Sequence, residues 1–145
     1  MKPQVSVITL GVRNLETAYN FYAKALGWDP LVYVPDEVAF FQVGNGLVLS
    51  LFRGDHLAAE AGNIGHGPVA PPLTLGHNVD SPEEVDTVLN AAVAAGAELI
   101  AEGTAMSWGG YSGYFADPDG FHWEVCHNPG LSIADDGTVS LREIV

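Results

Sequence analysis

Cysteine occurs once in these 145 residues, at Cys126, which excludes an intramolecular disulfide and a thiolate zinc cluster. Cations are nearly as scarce, with five Lys and Arg against 18 Asp and Glu and a formal net charge of −13. No basic cluster interrupts that surplus, so neither a nucleic-acid phosphate track nor an anionic membrane surface is expected as a partner. No apolar run is long enough for a signal core or a membrane span, and "MKPQ" passes directly into a strand pattern. The expectation is a cytoplasmic protein. What is present is 48% hydrophobic residues, enough for one domain or two small halves with a buried core.

One order of elements occurs twice. "QVSVITLGV" alternates as a strand, and "NLETAYNFYAKALG" then places Leu15, Ala18, Phe21, Tyr22, Ala25 and Leu26 on one helical stripe. Asn14 is the expected N-cap and Gly27 the C-cap. Three strand candidates follow, "WDPLVYV", "VAFFQV" and "LVLSLF", divided by the turn signals "PDE" and "GNG". In the second half "PLTLGHNV" is strand-like and "SPEEVDTVLNAAVAAG" is a helix. It opens on Ser81, Pro82 and a capping box completed by Glu84. "AELIAEGTA", "YSGYFAD" and "FHWEVCH" complete that half, the last two joined by the turn "DPDG". Asn14 and Ser81 are 67 residues apart, and Val12 and Val79 keep the same offset, so the economical reading is an internal duplication. The expected organisation is therefore a first βαβββ module over 1–53, a linker or lid over 54–71, a second βαβββ module over 72–128, and a tail over 129–145 with a short hairpin around "DDG".

The strand "FHWEVCH" carries the polar chemistry. With a two-residue period it places His122, Glu124 and Cys126 on one face and Phe121, Trp123, Val125 and His127 on the other. Same-face neighbours are roughly 6.6 Å apart at ~3.3 Å rise per residue, so a closed metal site needs donors from other strands.

"ITLGVRNLETAYNFYAKALGW" and "GYFADPDGFHWEV", in this order and with a matching repeat, resemble the vicinal oxygen chelate superfamily, the glyoxalase and bleomycin-resistance proteins. The resemblance spans roughly residues 4 to 128. It implies an α+β fold in which two βαβββ modules form a cup-shaped mixed sheet. In metal-dependent members of that family one ligand comes from the first and one from the last strand of each module. Carried over, these places fall on Val7, Ser50, Thr74 and Glu124, of which only Glu124 is a competent ligand. No metal or other cofactor is therefore expected. A replacement site would have to join His122 and Glu124 to another histidine. His77 lies on the opposite strand face, and His56 and His66 lie in the linker.

Without an ion, the resemblance implies a carboxylate inside a largely apolar concavity. Alternation points Val5, Val7, Thr9, Val48, Ser50, Phe52, Thr74, Gly76, Asn78, His122, Glu124 and Cys126 inward, while Trp108 and Tyr111 in "SWGGYSG" are placed to form an aromatic rim. Two functions compete. One is a homodimeric protein that sequesters an apolar or aromatic drug or metabolite, as in the bleomycin-resistance branch. The other is a glyoxalase-like lyase or isomerase, with or without a divalent metal, using Glu124 as base and His122 as acid.

Overall fold

The structure is a computed structural model that describes residues 1–62 and 64–142. Asn63 of the expected linker and the last three residues of the expected tail lie outside the described residues. The chain divides into two compact units, Met1–Val69 and Ala70–Val145.

In the first unit β1 (Val7–Val12) leads into α1 (Leu15–Tyr19), and the helix continues with π-helical geometry over Asn20–Ala25. Asn14 caps it as expected, its side chain accepting from the Thr17 amide at 2.8 Å. The π-helical turn was not legible in the spacing. Leu26 N–H donates to the carbonyl five residues back, at Phe21, and the widened turn lets the consecutive Phe21 and Tyr22 both be buried. Their rings meet edge to face at 5.0 Å. The same widening carries Ala25 out of the expected apolar stripe to an exposed position. Gly27 then ends the helix at φ +78°, a conformation costly for any residue with a Cβ.

Strands β2 (Val32–Val34), β3 (Val38–Gly44) and β4 (Leu47–Arg53) join β1 in the order β1-β4-β3-β2, with β1 and β4 parallel. β2 is shorter than its sequence pattern because Pro30 lacks an amide proton for a ladder. One face of this sheet is the core: Leu10, Val12, Ala39, Phe41, Leu49 and Leu51 are buried together with Leu15, Ala18, Phe21 and Tyr22 of the helix. Burying each large side chain stabilises the fold by about 1.5–3 kcal/mol. Val5, expected on this strand, precedes β1 and is exposed.

After β4 the chain forms α2 (Gly54–Ala61). It packs on the sheet face opposite the core, at the corner where Gly11 pairs with Phe52. A Cβ on Gly11 would sit 3.1 Å from Leu57 Cδ2, and the Phe52 and His56 rings lie 6.0 Å apart. Farther along, His66 Nε2 lies 2.8 Å from the Gly11 carbonyl oxygen.

The second unit repeats the plan with β5 (Thr74–Asn78), α3 (Pro82–Ala94), β6 (Glu98–Ala105), β7 (Tyr111–Ala116) and β8 (His122–His127), in the order β5-β8-β7-β6. Ser81 caps α3, its hydroxyl accepting from the Glu84 amide at 3.2 Å. The Glu84 carboxylate reaches one residue beyond the expected capping box, to the Asp80 amide at 3.1 Å. Val85, Leu89 and Ala92 of α3 are buried, as are Phe115, Trp123 and Val125 on the facing strands. Gly113 makes this packing fit: a Cβ there would fall 2.5 Å from Leu89 Cδ1. The tail carries an antiparallel pair, β9 (Leu131–Ile133) and β10 (Val139–Leu141).

The repeat holds in register. Val7 pairs with Val48 and Thr9 with Ser50, while Thr74 pairs with His122 and Gly76 with Glu124. Each module is thus a mixed four-stranded sheet with a helix on one face, an α+β arrangement.

Candidate functional site

The face of the second sheet turned away from α3 holds the polar groups. Pairing across β5, β8 and β7 sets them in three rows: Thr74, His122 and Ala116; Gly76, Glu124 and Tyr114; Asn78, Cys126 and Ser112. Directly paired residues share a sheet face, so the rows follow from register alone.

The middle row is the centre of the site. Tyr114 donates its hydroxyl to Glu124 Oε1 at 3.0 Å, and both side chains are half-buried. Burial, then the hydrogen bond to Glu124 and the carboxylate's charge, push the Tyr114 phenol above its ordinary value, so it stays a donor at neutral pH. On the other side of Glu124 stands Gly76, where an added Cβ would meet no atom within 4 Å. The carboxylate therefore has a fixed donor on one flank and an open notch on the other.

In the third row Asn78 is half-buried and the other two residues are buried. Cys126 and Ser112 are 5% and 2% exposed, and the Ser112 Oγ is one of two buried side-chain oxygens without a hydrogen-bond partner among the described residues. Burial first, and the Glu124 charge second, push the Cys126 thiol up, which makes it a poor nucleophile. In the first row, His122 is half-buried and makes no hydrogen bond or ion pair with Glu124 among the described residues.

Other residues expected at the site lie elsewhere. Tyr111 belongs to the helix-facing side of β7, where its hydroxyl donates to the Asp86 carboxylate of α3 at 3.0 and 3.1 Å. The two-residue period of β7 places it opposite in sense to Tyr114, so it does not join Glu124 as an aromatic rim. The hydrogen bond to Asp86, then burial and the nearby acids, raise its phenol. Trp108 lies in the turn between β6 and β7 and is 42% exposed, its ring folded over the Gly110 backbone. In the first unit Val7, Thr9, Val48, Ser50 and Phe52 share the sheet face opposite the helix, as alternation predicts. Val7 is exposed, Ser50 is buried, and α2 covers the Phe52 corner. His56 and His66 are engaged there, against Phe52 and the Gly11 carbonyl.

The carried-over metal positions do not make a fitting donor set. Val7 has no donor atom, Thr74 and Ser50 offer neutral hydroxyls, and Glu124 is the one carboxylate. No group of three or more His, Cys, Asp and Glu side chains with metal-binding geometry occurs among the described residues.

Sequence reading missed Tyr114, Ser112 and the role of Gly76. A signal existed for the first. The "DPDG" turn joins β7 to β8, and Asp117 Oδ1 accepts there from the Asp119 and Phe121 amides at 3.0 and 2.9 Å. Counting outward from that turn pairs Ala116 with His122 and then Tyr114 with Glu124.

Residues 4–125 match the model of the glyoxalase/bleomycin resistance protein/dioxygenase superfamily. No curated protein matches the sequence. Among solved structures, a glyoxalase-related enzyme from Fulvimarina pelagi is 38% identical, with a TM-score of 0.88 over 97% of this chain and 99% of that one. A glyoxalase/bleomycin resistance protein/dioxygenase from Nocardioides is 25% identical, with a TM-score of 0.73 over 88% and 84% of the two chains. A lactoylglutathione lyase from Agrobacterium tumefaciens shares the fold at 24% identity and a TM-score of 0.67, over 87% and 94%.

Proposed function

The chain belongs to the glyoxalase/bleomycin resistance protein/dioxygenase superfamily, and from that premise we propose that it sequesters a small apolar or aromatic drug or metabolite without transforming it. The ligand sits on the face of the second sheet turned away from α3, against Glu124. The observation that carries this reading is the notch at Gly76 beside a half-buried, Tyr114-held carboxylate. A carboxylate fixed on one flank and open on the other is a polar point that can orient a small molecule. The protein acts in the cytoplasm as a homodimer. The lone, buried Cys126 and the edges of strands β1 and β2 in one sheet, and of β5 and β6 in the other, which pair with no further strand among the described residues, support these assignments.

A second reading rests on the same hydrogen bond. A carboxylate oriented by Tyr114 has the geometry of a general base, which supports a lyase or isomerase reaction at Glu124. One experiment separates the two. A panel of neutral aromatic compounds is screened for thermal stabilisation, and each hit is incubated with the protein and with Glu124→Gln. Stabilisation without turnover supports sequestration. Conversion by the parent chain that falls roughly 10²- to 10⁴-fold in Glu124→Gln establishes the enzyme. About one tightly held divalent metal per chain, found by elemental analysis, would favour a metal-dependent enzyme instead.

A further inference from the structure

We propose that the ligand of this site is a cation bearing N–H donors, an amine, amidine or guanidine, whose charged head meets Glu124 in the notch beside Gly76; the inference rests on the small-molecule reading above and narrows it. Two independent features carry it.

The first is the hydrogen-bond balance of the face. An ionised carboxylate only accepts, and it has about four lone-pair positions. Tyr114 occupies one, at Oε1, and no other protein group among the described residues donates to Glu124. One row away the buried Ser112 Oγ has no partner, although buried polar groups are nearly always satisfied. The Ser112 hydroxyl can donate as well as accept, but the Glu124 carboxylate only accepts, and it holds more acceptor capacity than the protein fills. A ligand that completes it must bring donors, and a carboxylate or phosphate would bring only further acceptors.

The second is charge. Residues 70–145 contain twelve Asp and Glu, and their only Lys or Arg is Arg142. Arg142 lies in the tail, where its guanidinium approaches the Pro129 carbonyl at 3.4 Å. None of the strands β5 to β8 carries a Lys or Arg. The strands around Glu124 thus offer an anionic ligand no Lys or Arg, whereas a cation is drawn to their carboxylates and pairs with one already partly removed from water.

Three planar probes of nearly equal size test this: benzamidine, benzamide and benzoate, titrated at pH 8 and read by thermal shift and calorimetry. Benzamidine should stabilise the chain most, benzamide less and benzoate least. Glu124→Gln should weaken benzamidine roughly tenfold or more while leaving benzamide nearly unchanged. Gly76→Leu, which fills the notch where an added side chain meets open space, should abolish binding of all three with little change in unliganded melting temperature. The inference is overturned if benzoate matches benzamidine, or if the benzamidine shift survives both substitutions and vanishes only with salt. Those results would leave the sequestration reading intact provided benzamide still binds in a Gly76-dependent way. If none of the probes and none of the neutral aromatic panel binds, both readings fall.

Discussion

Tyr114 and Glu124 stand directly opposite one another on β7 and β8, and the phenolic hydroxyl donates to the carboxylate at 3.0 Å. This cross-strand pair ties the second sheet's stability to its chemistry. Tyr114→Phe removes one charge-assisted bond and leaves the carboxylate to half-exposed solvation, so a loss of about 1 kcal/mol is expected in urea unfolding. Glu124→Gln, which still accepts from Tyr114, should cost less. Equal losses would mean that the charge, not the hydrogen bond, stabilises the pair.

Cys126 supplies a pH test. Its thiol is raised in the folded state by burial and by the Glu124 charge. The unfolded chain therefore gives up this proton at lower pH than the folded one. The corresponding stability is fully present below the ordinary thiol value, about 8.5, and is lost as pH rises from there toward the higher folded value. Native protein should react slowly with a thiol reagent at pH 8, and Cys126→Ala should flatten the alkaline decline in melting temperature. Rapid labelling of folded protein would contradict the assignment.

Gly113 and Gly76 sit on opposite faces of the same sheet and should respond oppositely to alanine. At Gly113 the new methyl collides with Leu89 and with the Ala101 carbonyl, so a loss of about 1–3 kcal/mol is expected. Adding Leu89→Ala should not restore stability, because it removes buried apolar contact and leaves the carbonyl clash in place. At Gly76 the methyl meets open space, and denaturation should shift by less than about 0.5 kcal/mol. A large loss at Gly76 would mean that the notch is filled.

The homodimer is checked by sedimentation at micromolar concentration, which should give twice the 15.3 kDa chain mass. A monomer would leave the sheet edges to be protected within one chain.

Much of this molecule was readable from periodicity. The strand "LVLSLF" alternates, so Leu49 and Leu51 had to share the core and Ser50 the opposite face. The caps at Asn14 and Ser81 announced both helices, because a side-chain acceptor before an apolar stripe satisfies an amide that the helix leaves free. Glu124 stood out as the one competent ligand among the four carried-over positions, Val7, Ser50, Thr74 and Glu124. These are local properties, set by bond geometry within a few residues.

Tertiary packing decided the rest. Tyr111 and Tyr114 are three residues apart in one strand, and their aromatic character alone does not tell which one meets Glu124. That depends on which face α3 covers: Asp86 and Leu89 claim the side of Tyr111 and Gly113, leaving Tyr114 for the carboxylate. The π-helical turn at Phe21 and Tyr22 likewise answers to the volume under the first sheet rather than to helix propensity. Sequence determines which groups alternate and where chains turn, because those are nearest-neighbour constraints. Which polar groups end up facing one another is a property of register and packing between strands distant in sequence, and it exists only once the sheet has formed.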